Sequence, residues 1–457
     1  MKRVSKEFNI HTLPSLGEFV RVSKEHGLEF PVSTDMQVLG EPISLASGKI
    51  IPNAIGIPPL EGFDGTREGT PTEAVFRRYK RYASGGAGLI WYEATAVSPD
   101  GRGNPYQMMM TRETMPEIKR LLNDANAAAV GIYGRKPYNV LQLTHSGRRR
   151  VDENFQPRPL AAAYNPYMDA HNAVDGSRGE ITIATDEMIE QIVRDYIEAA
   201  SLAYEAGFDA VDIKPCHEYI IRELLSAFTR PGKYGGSFEN RTRALFEIIH
   251  GIRERLGTKL DICVRLNAYD SIPYPYGWGM VKEEGVMKPD LTEPIELCRL
   301  LVAEGVQLIN ITTMMPRYEP YGRGMMVEHD EEGEIRPFHG VDCLLHATRE
   351  IKQAVPGGIF MCTGLSWLDA FGANVAAGGK EQGWFDIAGF GRQGFAYPEF
   401  ASDILTKGGM DPKKVCMCCD CCYDFIQHYQ NSGCAVRDSY YRERYRQDIA
   451  PLKKKKQ

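Results

Sequence analysis

No stretch of this 457-residue sequence approaches the ~20 consecutive apolar residues that a membrane-spanning helix needs. The first residues, MKRVSKEFNIHTLPSLGEF, lack the apolar core of a secretory leader. The expectation is a soluble, cytoplasmic protein. An excess of positive charge is missing too: 54 Lys and Arg stand against 60 Asp and Glu, a net of -6. That argues against nucleic acid as a bulk partner. The one strong basic run, 453–456, reads as a solvated tail rather than a membrane or polyanion anchor. Cysteine is not scarce, but it is unevenly placed. Cys216, Cys263, Cys298, Cys343 and Cys362 are scattered through apolar segments, whereas Cys416, Cys418, Cys419, Cys421, Cys422 and Cys434 crowd one short region. A secreted disulfide framework would spread its cysteines, so the crowding reads as a metal or cluster site in a reducing compartment.

Residues 1–48 show little periodic pattern and read as an N-terminal extension. Candidate strands then fall at 51–57, 88–93, 140–144, 210–213, 261–266, 308–312, 359–362 and 385–389. Most are short continuous apolar runs, as strands buried on both faces should be. Amphipathic helices lie between them. The clearest places Met188, Ile189, Ile192, Val193, Tyr196 and Ile197 at helical spacing. Thr185 suits its cap, Asp186 and Glu187 its first turn, and Gly207 its end. Another follows Asn240, with Leu245, Ile248, Ile249 and Ile252 on one face and Gly257 beyond. Eight strand–helix repeats predict an α/β fold, a (β/α)8 TIM barrel over 49–410, with 411–457 as a cysteine-rich segment and basic tail. An open doubly wound sheet is the alternative.

Three connections, 148–185, 267–290 and 313–340, exceed the usual short loop length. Each follows a strand, so a barrel would bring them to one end. They carry Tyr269, Tyr274, Tyr276, Trp278, Tyr318 and Tyr321. Such loops read either as surface packing or as the walls of a partly aromatic pocket for a bulky flat substrate.

The stretch 211–243, VDIKPCHEYIIRELLSAFTRPGKYGGSFENRTR, holds Lys214, His217 and Tyr219 just past a buried strand. Barrel enzymes place their chemistry at that point. QLTHSGR sets Gln142, His145 and Arg148 at another strand end; Gln142 can donate to and accept from a heterocycle edge, or simply pair with His145. Arg265, in CVRLN, must be paired or face a ligand charge. Gly364, and Gly391 with Arg392 in IAGFGRQG, follow the last two candidate strands. There they form either a phosphate cradle or ordinary turns. Among the cysteines, one frame reads C-x2-C-x2-C-x11-C through Cys416, Cys419, Cys422 and Cys434. The tight first three suit an iron–sulfur cluster, with four-cysteine zinc as the alternative. Cys418 and Cys421 are left over.

Five segments in order, NAIGIPPLEGFDG, GGAGLIWYEA, QLTHSGR, the stretch ending KYGGSFENRTR, and IAGFGR, resemble the old yellow enzyme family of FMN-dependent ene-reductases. The resemblance implies that Pro59, Leu60 and Ala94 contact the FMN ring through the backbone. It implies that Gln142 bonds the pyrimidine edge, that Arg265 stabilises the reduced ring, and that Gly364, Gly391 and Arg392 hold the phosphate. It further implies that Tyr219 is the proton donor and that Lys214 and His217 form the pair binding a carbonyl oxygen, where the family usually has His-x-x-His or His-x-x-Asn. Lysine is the stronger point charge there, unless it pairs with Glu218 or another acid and leaves His217 to bind alone.

The cysteine frame is similar to that of the family's iron–sulfur branch, which includes dienoyl-CoA reductases and trimethylamine dehydrogenase. This implies a [4Fe–4S] cluster. Long members continue into FAD- and NAD(P)H-binding domains, and no G-x-G-x-x-G fingerprint follows Cys434. The expectation is that a reductase, ferredoxin or flavodoxin-like partner feeds the cluster, with NAD(P)H acting directly on FMN as the alternative. The implied activity is reduction of an activated C=C bond. Alternatives are an amine dehydrogenase or demethylase, a Schiff-base lyase built on Lys214, and an electron-transfer subunit.

Overall fold

The computed structural model describes residues 7–169, 180–315, 328–329 and 335–454. Eight parallel strands close into a barrel, each hydrogen-bonded to its neighbours in chain order. They are β1 (Ile55–Ile57), β2 (Leu89–Ala96), β3 (Tyr138–Thr144), β4 (Ala210–Ile213), β5 (Asp261–Asn267), β6 (Leu308–Thr312), β7 (Phe360–Cys362) and β8 (Ile387–Gly389). Every residue of β2 to β6 is buried. That is why these strands read as predominantly apolar runs rather than alternating ones. The expected TIM barrel is the fold.

The first candidate strand is split. Pro52 cannot donate to a ladder. The Asn53 side chain turns the chain, its Oδ1 accepting from Gly88 N at 2.8 Å and Ile55 N at 3.2 Å. Ile50–Ile51 instead pairs antiparallel with Ile43–Ser44. Leu45 and Ile51 thereby join Leu89, Trp91, Val140 and Met361 in one apolar cluster that fills the barrel's interior. Strand β8 is shorter than expected. At its start the Asp386 side chain accepts from Lys352 Nζ at 2.6 Å and Phe360 N at 2.8 Å.

Helices follow the strands: α2 (Glu73–Ala83), α3 (Met115–Tyr133), α4 (Asp186–Ala206), α5 (Phe238–Leu256), α6 (Thr292–Ala303), α7 (Pro337–Ala354), α8 (Gly372–Glu381) and α9 (Phe400–Lys407). Thr185 caps α4 by accepting from Met188 N, and Gly207 closes it at φ +102°, as the pattern predicts. Helix α5 begins two residues before Asn240, capped by Ser237. Residues 7–48 are less bare than their sequence suggests. They contain α1 (Leu16–Glu25), whose Phe19 is fully buried and stacks on Phe371 at 4.9 Å. Leu16 and Val20 pack beside Phe19 on the core, a short stripe at helical spacing that the sequence reading passed over.

Among the described residues no helix is long and apolar enough to cross a membrane. Of the loop aromatics, Trp278 is wholly buried and donates to the Asn267 carbonyl at 2.9 Å, and Tyr269 is buried too. Both serve loop packing, whereas Tyr274 is half exposed against Phe228. Tyr318, Tyr321 and the end of the basic run lie outside the described residues.

Candidate active site and cysteine cavity

The barrel interior changes chemistry along its central strands. Val140, Ala210, Cys263 and Leu308 belong to the apolar inner cluster. Side chains alternate faces along a strand, so the same face next carries Gln142, Asp212, Arg265 and Asn310, all buried. Asp212 is the hub of this polar layer. It accepts from Gln142 Nε2 at 2.6 Å, Trp91 Nε1 at 3.0 Å and the Arg265 backbone N–H at 2.7 Å. Burial pushes its carboxyl up to about 6. The Arg265 side chain reaches the Pro59 carbonyl at 3.5 Å. Asn310, in register with Arg265, has both amide atoms buried without a partner among the described residues, and so does the Thr312 hydroxyl. Such groups are costly to leave unmatched. A flavin edge over this layer would satisfy them, so the residues present fit the group.

The other residues implied for FMN stand around this end. Ala94 is buried and its carbonyl already accepts from Gln107 at 2.9 Å. Gly364 follows β7 with φ +90°, a left-handed conformation that suits glycine. A Cβ on Gly391 would meet Leu60 and Pro58 at 3.5 Å, which brings the loop after β8 against the loop after β1. His145 and Arg148 are structural. His145 is fully buried, its Nδ1 accepts from Gly147 N at 3.3 Å, and burial holds its pKa down at about 3. Arg148 pairs with Glu223 at 2.6 Å and with Asp169.

Lys214 and Tyr219 do converge, on a fourth residue that the sequence reading passed over, and the His217 ring centroid lies 6.4 Å from that of Tyr219. Glu61 Oε1 accepts from Lys214 Nζ at 2.8 Å and from the Tyr219 hydroxyl at 2.8 Å, while Oε2 lies 2.9 Å from that hydroxyl. Lys214 Nζ also sits 3.4 Å from the centroid of the Tyr219 ring, close enough for a cation–π contact. Glu218 is not the lysine's partner, because it pairs with Arg149. His217 has φ +58°, uncommon for a residue with a side chain. Asn267 holds it there by accepting from His217 N at 3.1 Å.

The six clustered cysteines separate by direction. Cys416, Cys419, Cys422 and Cys434 all line one small cavity, with Cys421 and Arg392 on its wall. Cys418 turns away, its thiol donating to the Ser366 carbonyl at 3.3 Å. The left-over cysteines act on the frame: hydrogen bonding with Cys418 lowers the pKa of Cys416, and hydrogen bonding with Cys421 lowers that of Cys419. Among the described residues no three His, Cys, Asp or Glu side chains close on a single metal ion. Arg392, expected at the phosphate, here pairs with Asp420 at 2.5 Å and lies 4.5 Å over the Trp367 ring. Its charge faces the cavity, where an anionic thiolate cluster would be held.

The sequence model of the NADH:flavin oxidoreductase / NADH oxidase family matches residues 39–278. An NADPH dehydrogenase of Listeria welshimeri is 31% identical over 250 residues, 54% of this chain and 64% of that protein. The chain thus matches less than two thirds of that relative's length. A 12-oxophytodienoate reductase 7 of Oryza sativa subsp. japonica is 28% identical over 362 residues, covering 75% of this chain and 82% of the rice protein. Among solved structures, a 2-naphthoyl-CoA reductase complex with 2-naphthoyl-CoA superposes with a TM-score of 0.70 at 21% identity. That match covers 88% of this chain and 57% of the other. At that identity the likeness is one of fold.

Proposed function

Because the chain belongs to the NADH:flavin oxidoreductase / NADH oxidase family, we propose that it reduces an activated C=C bond of an α,β-unsaturated carbonyl or related conjugated substrate. FMN and a [4Fe–4S] cluster would be its cofactors. The observation that carries this reading is the meeting of Lys214 and Tyr219 on Glu61, with the His217 ring alongside, at the barrel end that also holds Arg265 and the unmatched Asn310. FMN would supply hydride. Arg265 is a fixed cation placed to offset charge on a reduced ring, and Gln142 and Asn310 offer the polar edge that orients it.

On the substrate side, the Tyr219 hydroxyl would deliver the proton to the α-carbon. His217 would hold the carbonyl oxygen as it gains charge. Lys214 is engaged by Glu61, which supports the arrangement in which His217 binds that oxygen alone. Cys416, Cys419, Cys422 and Cys434 would hold the cluster. It would supply one-electron transfer from a partner of reductase, ferredoxin or flavodoxin type, in a reducing compartment. An amine dehydrogenase is the second reading, because Glu61 sets a carboxylate beside Lys214 and so offsets the lysine's repulsion of a cationic substrate.

An anaerobic absorption spectrum with flavin, iron and sulfide counts tests the cofactors. Stoichiometric flavin with about four irons is expected, and a colourless protein would overturn the proposal. Alkenes and amines offered in turn then separate the two readings: alkenes should reoxidise the reduced protein, and amines should fail to reduce the oxidised one. Stopped-flow mixing with NADH or NADPH alone decides the electron source, since rapid bleaching of the flavin would make a partner unnecessary.

A further inference from the structure

We infer that Glu61 is a positioning residue of the reaction: its carboxylate sets the acidity of Tyr219 and returns the proton that the tyrosine gives up. This deepens the reading of Tyr219 as proton donor and rests on it. Three distances carry the inference. The Tyr219 hydroxyl lies 2.8 and 2.9 Å from the two oxygens of Glu61, and Lys214 Nζ lies 2.8 Å from one of them. A carboxylate is acceptor-only, so the phenol is the donor and is held in its protonated form. Lys214, 3.4 Å from the ring centroid, favours the phenolate instead. The tyrosine is therefore poised between two opposite influences, and Glu61 also holds the lysine.

Glu61 is itself fixed. The next residue's backbone N–H donates to Glu93 Oε2 at 3.0 Å, and Glu93 is locked by Arg78 at 2.6 Å. A Cβ on Gly62 would lie 2.4 Å from an Arg78 nitrogen, so the backbone there is packed tight. The Lys214 side chain is 3% exposed and that of Glu61 is 19% exposed. Of these two partners, Glu61 is the one that water reaches. When Tyr219 passes its proton to the α-carbon and the new C–H bond forms, the Glu61 carboxylate takes up a proton from solvent and hands it to the phenolate left behind, returning to its anionic form. No electrons move in this step, and the charge is restored. The charged or titratable groups facing Tyr219 are Glu61 from the loop after β1, Lys214 and His217 from the loop after β4, and, further down, Arg265 and Asp212 on the strands. Glu93 acts on Glu61 from β2.

The test labels tyrosine Cζ with ¹³C in the holoenzyme and identifies the Tyr219 resonance by its loss in Tyr219→Phe. Opposite or like charges at this range shift a phenol by about one unit or more. In Glu61→Gln the Tyr219 titration should move to lower pH by about that amount, and in Lys214→Met to higher pH. A Tyr219 titration unchanged in both variants would overturn the inference. The alkaline limb of alkene-driven reoxidation should shift with the Glu61→Gln titration, while the rate of flavin reduction stays put. If no alkene reoxidises the wild-type protein, the proposed function falls, and the titration still decides the role of Glu61.

Discussion

Arg78, on α2, donates to the carbonyl of Ser432 at 3.1 Å. A single buried guanidinium thus binds the cysteine-rich segment to the barrel, because the same side chain also pairs with Asp64 and Glu93. Arg77 and Arg81 on the same helix add a clamp on Asp438, at 2.8 and 2.6 Å. The wall of the cysteine cavity and the loop that carries Glu61 therefore share one support.

Arg78→Ala should destabilise the protein by about 3–5 kcal/mol, since it strands two buried carboxylates rather than removing a balanced pair. Chemical denaturation checks the magnitude. The same variant should retain less iron per chain, because Ser432 loses its anchor two residues from Cys434.

Cys416→Ser should lose iron and sulfide, whereas Cys418→Ser should keep both. The first thiol lines the cavity and the second points to the Ser366 carbonyl. Iron and sulfide counts on protein isolated without oxygen distinguish them. Equal iron in the two variants would remove Cys416 from the frame.

His145 should make the fold acid-sensitive in a specific window. Burial holds its folded pKa at about 3, whereas an unfolded histidine titrates near ~6.5. Its contribution is therefore complete above pH ~6.5 and is lost as pH falls from there toward about 3. By pH 5 the loss should be about 2 kcal/mol. Denaturation of wild type and His145→Asn at pH 7 and 5 checks this: the wild type's advantage should shrink by that amount.

Tyr219→Phe should slow reoxidation of the reduced protein by an alkene about 10²- to 10⁴-fold and leave flavin reduction unchanged. Stopped-flow measurement of the two half-reactions separates them. Undiminished alkene turnover would remove Tyr219 from its role.

Much of this molecule could be read along the chain. The barrel strands declared themselves because strands buried on both faces are mostly apolar, with only scattered buried polar residues such as Gln142, Asp212 and Arg265 among them. The end of α4 was legible because Thr185 and Gly207 meet local needs of a helix terminus. The cysteine frame was legible because its first three members lie within seven positions, where chain geometry leaves little freedom. Local rules failed where a break depended on a partner far away. Asn53 ends its strand by bonding Gly88, 35 positions away.

The candidate site divides in the same way. Lys214, His217 and Tyr219 share one short segment past a strand end, so the sequence alone was enough to propose them. Asp212 stood in an apolar run as a buried acid, a signal that could have been followed. Glu61 could not be paired in advance, since 153 positions separate it from Lys214 and only barrel closure sets the loop after β1 beside the loop after β4. Composition and periodicity determined which residues had to be inside and which strand ends carried polar groups. Only the tertiary structure decided which charges met there, because an ion pair depends on distance in space and a sequence records distance along the chain.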